Sequence, residues 1–330
     1  MHNKLLILFF FLINNLNIIL PYPILLFSKL FTDKIFNYYY NTFYYSISAI
    51  IKYYYKTNIY IQNKHIFEKL LHNNSDNKNT IIMQNHLYQL DCIVVPMLLS
   101  CTNKITNNII RAVTYFYLYL CSPGMGMCLS LSDSVLITNN KQQNLSFIDN
   151  CKLKKNDLLY IYPEGSVYCK TSRESNNKYC DDNKLKKMKN CLYPRPGGIN
   201  ILQKNNNIDT IISVCTQYDN IKPSDKYHNA INTPMPKSIY VKFDKHNVEK
   251  DKIFDKTVEI FNDIDKYLDK EININEYELQ KLNTIEIISL IFHLGMCVGF
   301  LYLLYNYPGL FSYIIIVYIV YYVNLYLFIK

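Results

Sequence analysis

The sequence predicts an α/β fold, a layered soluble domain carried between apolar segments at the two ends of the chain. Three observations predict it. Short apolar runs of strand length alternate with amphipathic helical patterns through the middle. Ile287 to Ile329 contains no Asp, Glu, Lys or Arg. Leu5 to Ser28 is also free of charged residues.

These features divide the chain into residues 1–62, an N-terminal membrane anchor with an interfacial segment; 63–284, the α/β domain; and 285–330, a two-span transmembrane hairpin. In the first part, Asn14, Asn15, Asn17, Pro21 and Pro23 interrupt the apolar run. With no small-residue cleavage site and with Ile24–Phe27 continuing the run, a bent anchor or re-entrant hairpin fits better than a cleaved signal peptide. Ile35–Ile51 is uncharged and heavy in Tyr and Phe, a composition that suits the membrane–water interface. In the last part, the uncharged run is long enough for two spans of about 20 residues. Pro308-Gly309 falls where the turn between them belongs, and His293 reads as a helix-packing residue.

Within the middle part, the strand expectations are Thr80–Met83, Asp157–Tyr162, Thr210–Cys215 and Ser238–Phe243. Val248–Leu268 reads as an amphipathic helix, with Ile253, Val258, Phe261, Ile264 and Leu268 on one side. Lys29, Lys34, Lys52, Lys56 and Lys64 follow the N-terminal apolar run, whereas only Lys4 precedes it. The positive-inside rule places the domain and Lys330 on the cytosolic side.

A chain of 330 residues has ample material for a core. The formal charge of +9 suits nucleic acid, anionic head groups or phosphorylated ligands. The tyrosines are scattered through apolar runs without an RNP-type stacking motif, which argues against nucleic acid. None of the ten cysteines forms C-x-x-C, so neither a zinc site nor a compact disulfide framework is expected. Reduced thiols, mostly buried, are the expectation.

Three stretches carry chemistry. The first is "QNHLYQLD", residues 84–91, directly after an apolar run. On one helix, His86 and Asp91 would lie about 140° apart. They meet only if His86 sits in the turn after a strand and Asp91 in the first turn of the next helix. The carboxylate then orients the ring and leaves the other nitrogen as a base. No Ser sits in a G-x-S-x-G elbow, so the hydroxyl that such a base would activate belongs to a substrate. The second stretch is "LLYIYPEGS", Leu158–Ser166, a strand ending in a turn that carries Glu164. The third is "LYPRPGGINIL", Leu192–Leu202, where Pro194 and Pro196 bracket Arg195, whose fork matches phosphate oxygens.

In order and spacing, these stretches resemble the glycerophospholipid acyltransferase family, the lysophosphatidic acid (1-acylglycerol-3-phosphate) acyltransferase group. Its N-H-x-x-x-x-D element matches Asn85, His86 and Asp91, and its [FY]-P-E-G-[ST] element matches Tyr162 through Ser166. The P-R-x-x-G element of the eukaryotic, lysocardiolipin acyltransferase-like branch matches Pro194, Arg195 and Gly198. A weaker P-x-x-G element matches Pro123 and Gly126, with Arg111 where the family often has a basic residue.

The resemblance implies a layered acyltransferase domain with a mixed central sheet. It implies His86 as general base on a glycerol hydroxyl and Asp91 as its partner. Asn85, Glu164, Gly165, Ser166, Arg195, Gly198 and Arg111 would serve substrate binding. It further implies acyl-CoA as donor, no bound cofactor, no metal, a lysophospholipid acceptor at a bilayer, and a cytosol-facing enzyme of the endoplasmic reticulum. Two positions depart from the pattern. Asn139 and Val167 stand where the family often has arginines associated with the acceptor phosphate. Lys170, Arg173 and Arg195 are the candidate substitutes.

A lysophospholipid with a larger head group is the other way to accommodate the two departures. Within the family, the first acceptor to expect is lysophosphatidic acid. Lysocardiolipin, lysophosphatidylinositol and CoA-independent transacylation are the alternatives, and a non-catalytic membrane-shaping protein is the alternative of another class.

Overall fold

A computed structural model describes residues 21–29, 33–72, 79–100, 110–115, 127, 131–132, 134–138, 140–153, 158–206, 208–224, 226–228, 233–249, 252–307 and 309–329. The apolar run up to residue 20, and Pro123, Gly126, Asn139, Pro308 and Lys330, lie outside these residues.

The described strands are β1 (Asn58–Gln62), β2 (Asn79–Gln84), β3 (Ile110–Tyr115), β4 (Val135–Ile137), β5 (Leu158–Ile161), β6 (Ile208–Tyr218), β7 (Ser238–Asn247) and β8 (Glu278–Leu279). They form one mixed sheet in the order β4-β3-β5-β2-β6-β7-β1-β8. The block β4-β3-β5-β2-β6 is parallel, β7 runs antiparallel to β6, and β1 runs parallel to β7. The central strands are buried along their length: all of β5 and nearly all of β6, as expected where helices cover both faces. β7 alternates buried and half-exposed positions over its first half, the pattern of a strand with one wetter face.

The alternation of side chains splits the core in two. Ile82, Tyr160, Ile212 and Val214 point to one face, where they meet α1 (Tyr22–Lys29), α2 (Asp33–Ala49), α4 (Asp91–Ser100) and the later helix α10 (Leu310–Ile329). Ile81, Met83, Leu159, Ile161 and Ile211 point to the other. That face packs against α5 (Lys141–Asp149), α6 (Lys170–Asp182), α7 (Pro196–Asn206) and α8 (Ile253–Leu268). α8 buries Ile253, Thr257, Ile260, Phe261 and Ile264, the stripe of a 3.6-residue period. The short α3 (Lys64–His72) lies between β1 and β2.

Two expectations are corrected. β1 precedes residue 63 and pairs with β7 from Asn58↔Ser238 to Gln62↔Lys242, so the sheet begins upstream of the expected boundary. The aromatic segment Ile35–Ile51 is largely internal. Phe36, Phe43, Tyr44 and Tyr45 are buried, and Ile35 and Tyr38 are the outward side chains. An uncharged aromatic run reads the same in sequence whether it faces head groups or other helices. Here its neighbours are α4 and α9 (Thr284–Asn306).

α9 is long and apolar enough to cross a membrane and leaves Ile288, Ile291, Val298 and Leu301 outward. On its other side, His293 is buried edge-on against Tyr39 and Phe43. A buried ion pair fixes the register of α9 on α2. Lys52 Nζ, in the π-helical turn after α2, lies 2.7 Å from Glu286 Oε1. Ser48 donates to the same oxygen, while Glu286 Oε2 accepts from Asn283 N at 2.7 Å in a capping box.

Removing one partner of a buried pair leaves the other charge uncompensated. Lys52→Met is expected to destabilise the fold by about 3–5 kcal/mol, and Lys52→Met with Glu286→Met to recover most of it. Thermal unfolding of the two variants in detergent checks this; equal losses would show that the pair sets no register.

Candidate active site

Three adjacent parallel strands, β5, β2 and β6, deliver their C-terminal ends to one place, the usual position of a site in an open α/β sheet. β2 ends at Gln84, His86 lies in the following loop, and Asp91 opens α4. That loop brings His86 Nδ1 to 3.1 Å from Asp91 Oδ2, leaving Nε2 for a reacting group. The Asp91 carboxylate is fully buried, and the His86 side chain is 14% exposed.

A buried carboxylate needs donors. Oδ2 also accepts from Leu87 N at 2.7 Å and Tyr88 N at 2.8 Å, and Oδ1 accepts from the hydroxyl of Tyr218 at the end of β6. Asn85 is buried and locks β2 to β6. Its Nδ2 donates to Thr216 O at 3.1 Å, and its Oδ1 accepts from Thr216 N at 2.8 Å.

The Tyr162–Ser166 turn is stitched to the same histidine. Glu164 Oε1 accepts from His86 N at 2.8 Å, and Tyr168 N donates to His86 O at 2.8 Å. Glu164 Oε2 accepts from Leu192 N at 2.8 Å, which ties in the third stretch. Gly165 closes the turn through its N–H to Tyr162 O at φ +72, a region that favours glycine. Tyr162 stacks on the His86 ring with centroids 4.0 Å apart and planes 21° from parallel. Behind it, Tyr162, Tyr160 and Gln84 form a hydrogen-bonded chain that ends on Thr216 Oγ1. Burial pushes the Glu164 carboxyl up to about 8 against the opposing pull of its two backbone N–H donors.

The structure therefore assembles Asn85, His86, Asp91, Glu164 and Gly165 into one unit. Within it, Asn85 and Glu164 spend their polar atoms on the protein's own backbone. Ser166 is exposed beside them. Arg195 N donates to Pro163 O at 2.9 Å, and its guanidinium lies 3.7 Å over the Tyr179 ring. This sets the arginine next to the glutamate turn, with one face of its fork stacked. Gly198 serves packing, since a Cβ there would meet Ile148 Cδ1 of α5 at 3.0 Å. Arg111 lies on β3, paired with Leu159 of β5. Sequence reasoning missed Tyr218, Thr216 and the tyrosine chain.

Residues 58–212 match the family model described as Acyltransferase. No curated protein sequence matches the chain. Among solved structures, the chain is similar to the crystal structure of the 1-acyl-sn-glycerophosphate (LPA) acyltransferase PlsC from Thermotoga maritima. That likeness has 12% identity and a TM-score of 0.48, and it covers 82% of this chain and 98% of the other.

The raised Glu164 carboxyl has a consequence for stability. The folded chain holds its proton up to about 8, whereas an unperturbed carboxyl releases it near 4.5. Stability from this group is full below the lower value and is lost as the pH rises through the upper one. Glu164→Gln turns an N–H against one backbone donor and is expected to cost about 1–3 kcal/mol at low pH. The gap between wild-type and variant melting temperatures should narrow from about pH 5 to about pH 9. A gap that does not change with pH refutes the assignment.

Proposed function

We propose, from the match of residues 58–212 to the acyltransferase family model, that the protein is an acyl-CoA-dependent O-acyltransferase. It acylates the free glycerol hydroxyl of a lysophospholipid, foremost 1-acyl-sn-glycerol-3-phosphate. The observation that carries this reading is the His86–Asp91 pair at the C-terminal ends of β5, β2 and β6, inside the matched residues.

His86 Nε2 accepts the hydroxyl proton as the glycerol oxygen bonds to the thioester carbonyl carbon. The C–S bond then breaks, and the CoA sulfur leaves and takes the proton from the imidazolium. The products are the diacyl lipid and CoA, with no acyl-enzyme. Asp91 favours the imidazolium through Oδ2 and holds the ring's orientation. Tyr162 covers one face of the imidazole, so the ring cannot swing toward β5.

Arg195 is the candidate phosphate ligand, in place of the arginines absent at Asn139 and Val167. Its backbone is held to Pro163 and flanked by Pro194 and Pro196, which limits the ordering cost of a clamp. The outward apolar face of α9 supports a membrane location, and the lysine asymmetry supports a domain on the cytosolic side; the endoplasmic reticulum is the membrane that the family resemblance implies.

Purified protein given acyl-CoA and a panel of lysolipids tests the reading: acylation of lysophosphatidic acid above the others is expected. His86→Ala should lower turnover about 10²–10⁴-fold with insertion into membranes intact. Near wild-type turnover in that variant removes the base assignment.

Arg195→Lys should raise the KM for the lysolipid several-fold and leave that for acyl-CoA unchanged, because an ammonium cannot form the paired hydrogen bonds of a guanidinium. The reverse selectivity would move Arg195 to the CoA phosphates. A lowered Tm alone would leave it a turn residue stacked on Tyr179.

A further inference from the structure

Tyr218 closes β6, beyond the residues 58–212 that match the family. Asp91 offers its two oxygens to different partners. Oδ2 serves the His86 ring and the amides of Leu87 and Tyr88, and Oδ1 receives the Tyr218 hydroxyl. The Tyr218 ring is itself held edge-on against Tyr88, with centroids 5.6 Å apart at 84°. Burial and the charge of Asp91 push the phenol well above its usual value, so the hydroxyl stays the donor.

We propose that Tyr218 is a positioning residue for the acyl-transfer step: by holding Oδ1, it fixes the rotation of the Asp91 carboxylate so that Oδ2 faces the His86 ring. The torsion that turns a carboxylate about its bond to Cβ is soft, so hydrogen bonds decide where the plane points. The two loop amides approach Oδ2 alone and permit the plane to tilt about that oxygen. A donor on Oδ1, carried by the neighbouring strand, removes this freedom. Without it, a fully buried anionic oxygen loses its donor, and the carboxylate gains by turning away from the histidine. Tyr218 acts only through Asp91, so its loss falls on turnover and not on substrate binding.

The inference rests on the acyltransferase reading, and its test has one arm that needs no turnover. Tyr218→Phe keeps the ring and its contact with Tyr88. It is expected to lower kcat about tenfold, with both KM values within about twofold of wild type. In an Asp91→Asn background, where no carboxylate charge remains to be held, Tyr218→Phe should cost less than about twofold more.

A merely structural tyrosine predicts equal losses in both backgrounds together with a lowered Tm, and that result overturns the proposal. In protein carrying isotope-labelled histidine, the ring-nitrogen resonances of His86, assigned by their loss in His86→Ala, should shift in Tyr218→Phe. Unmoved resonances overturn the proposal as well. If wild-type protein transfers no acyl group, the functional reading fails, while the resonance arm still decides whether Tyr218 orients the pair.

Discussion

The Asp91 carboxylate is the constraint on which the site depends. It is a charge with no solvent exposure, and an isolated charge there would cost several kcal/mol. The loop from His86 to Tyr88 turns so that two of its amides and one imidazole nitrogen converge on one oxygen. The conformation that satisfies the buried anion is the same one that sets the histidine. Electrostatic need and the placement of the histidine are therefore one requirement, and the loop cannot relax one without losing the other.

Glu164 extends that logic across the sheet. Its two oxygens bridge His86 N, after β2, and Leu192 N, just before α7, so the three motif stretches share one buried carboxyl. This explains why motifs far apart in sequence keep a fixed mutual geometry. It also gives Glu164 a bracing part beside the substrate-binding role that the family resemblance implies.

Much of the domain was legible before any coordinates. Thr80–Met83, Thr210–Cys215 and Ser238–Phe243 each lie on a strand of the sheet, and Leu158–Ile161 forms β5 within the expected run Asp157–Tyr162, because buried runs announce themselves by apolarity. The strands that were missed are the short edge strands β4 and β8, together with β1 and β3, each of which has a neighbour on both sides. β1 reads as part of an aromatic stretch, and β8 has two exposed residues. β6 runs on to Tyr218 because Thr216, Gln217 and Tyr218 continue the ladder with β7; Thr216 and Gln217 are buried polar residues, which an apolarity pattern cannot find. The His86–Asp91 pair was readable from spacing, since only a strand–turn–helix reading lets the two side chains meet. Tyr218 was not, because one hydroxyl among 32 tyrosines carries no local signature. Its place follows from strand order alone.

The ion pair between Lys52 and Glu286 joins residues separated by 234 positions. During synthesis, α2 therefore emerges long before its partner helix exists. Until residues 284–306 are made, Tyr39 and Phe43 lack the face that covers them, and Lys52 lacks its carboxylate. Strands β2, β5 and β6, which carry the His86 site, are all complete by then, so the order of translation separates formation of that part of the sheet from closure of its helical flank. The last helices act as a late clasp on a core whose chemistry is already laid out.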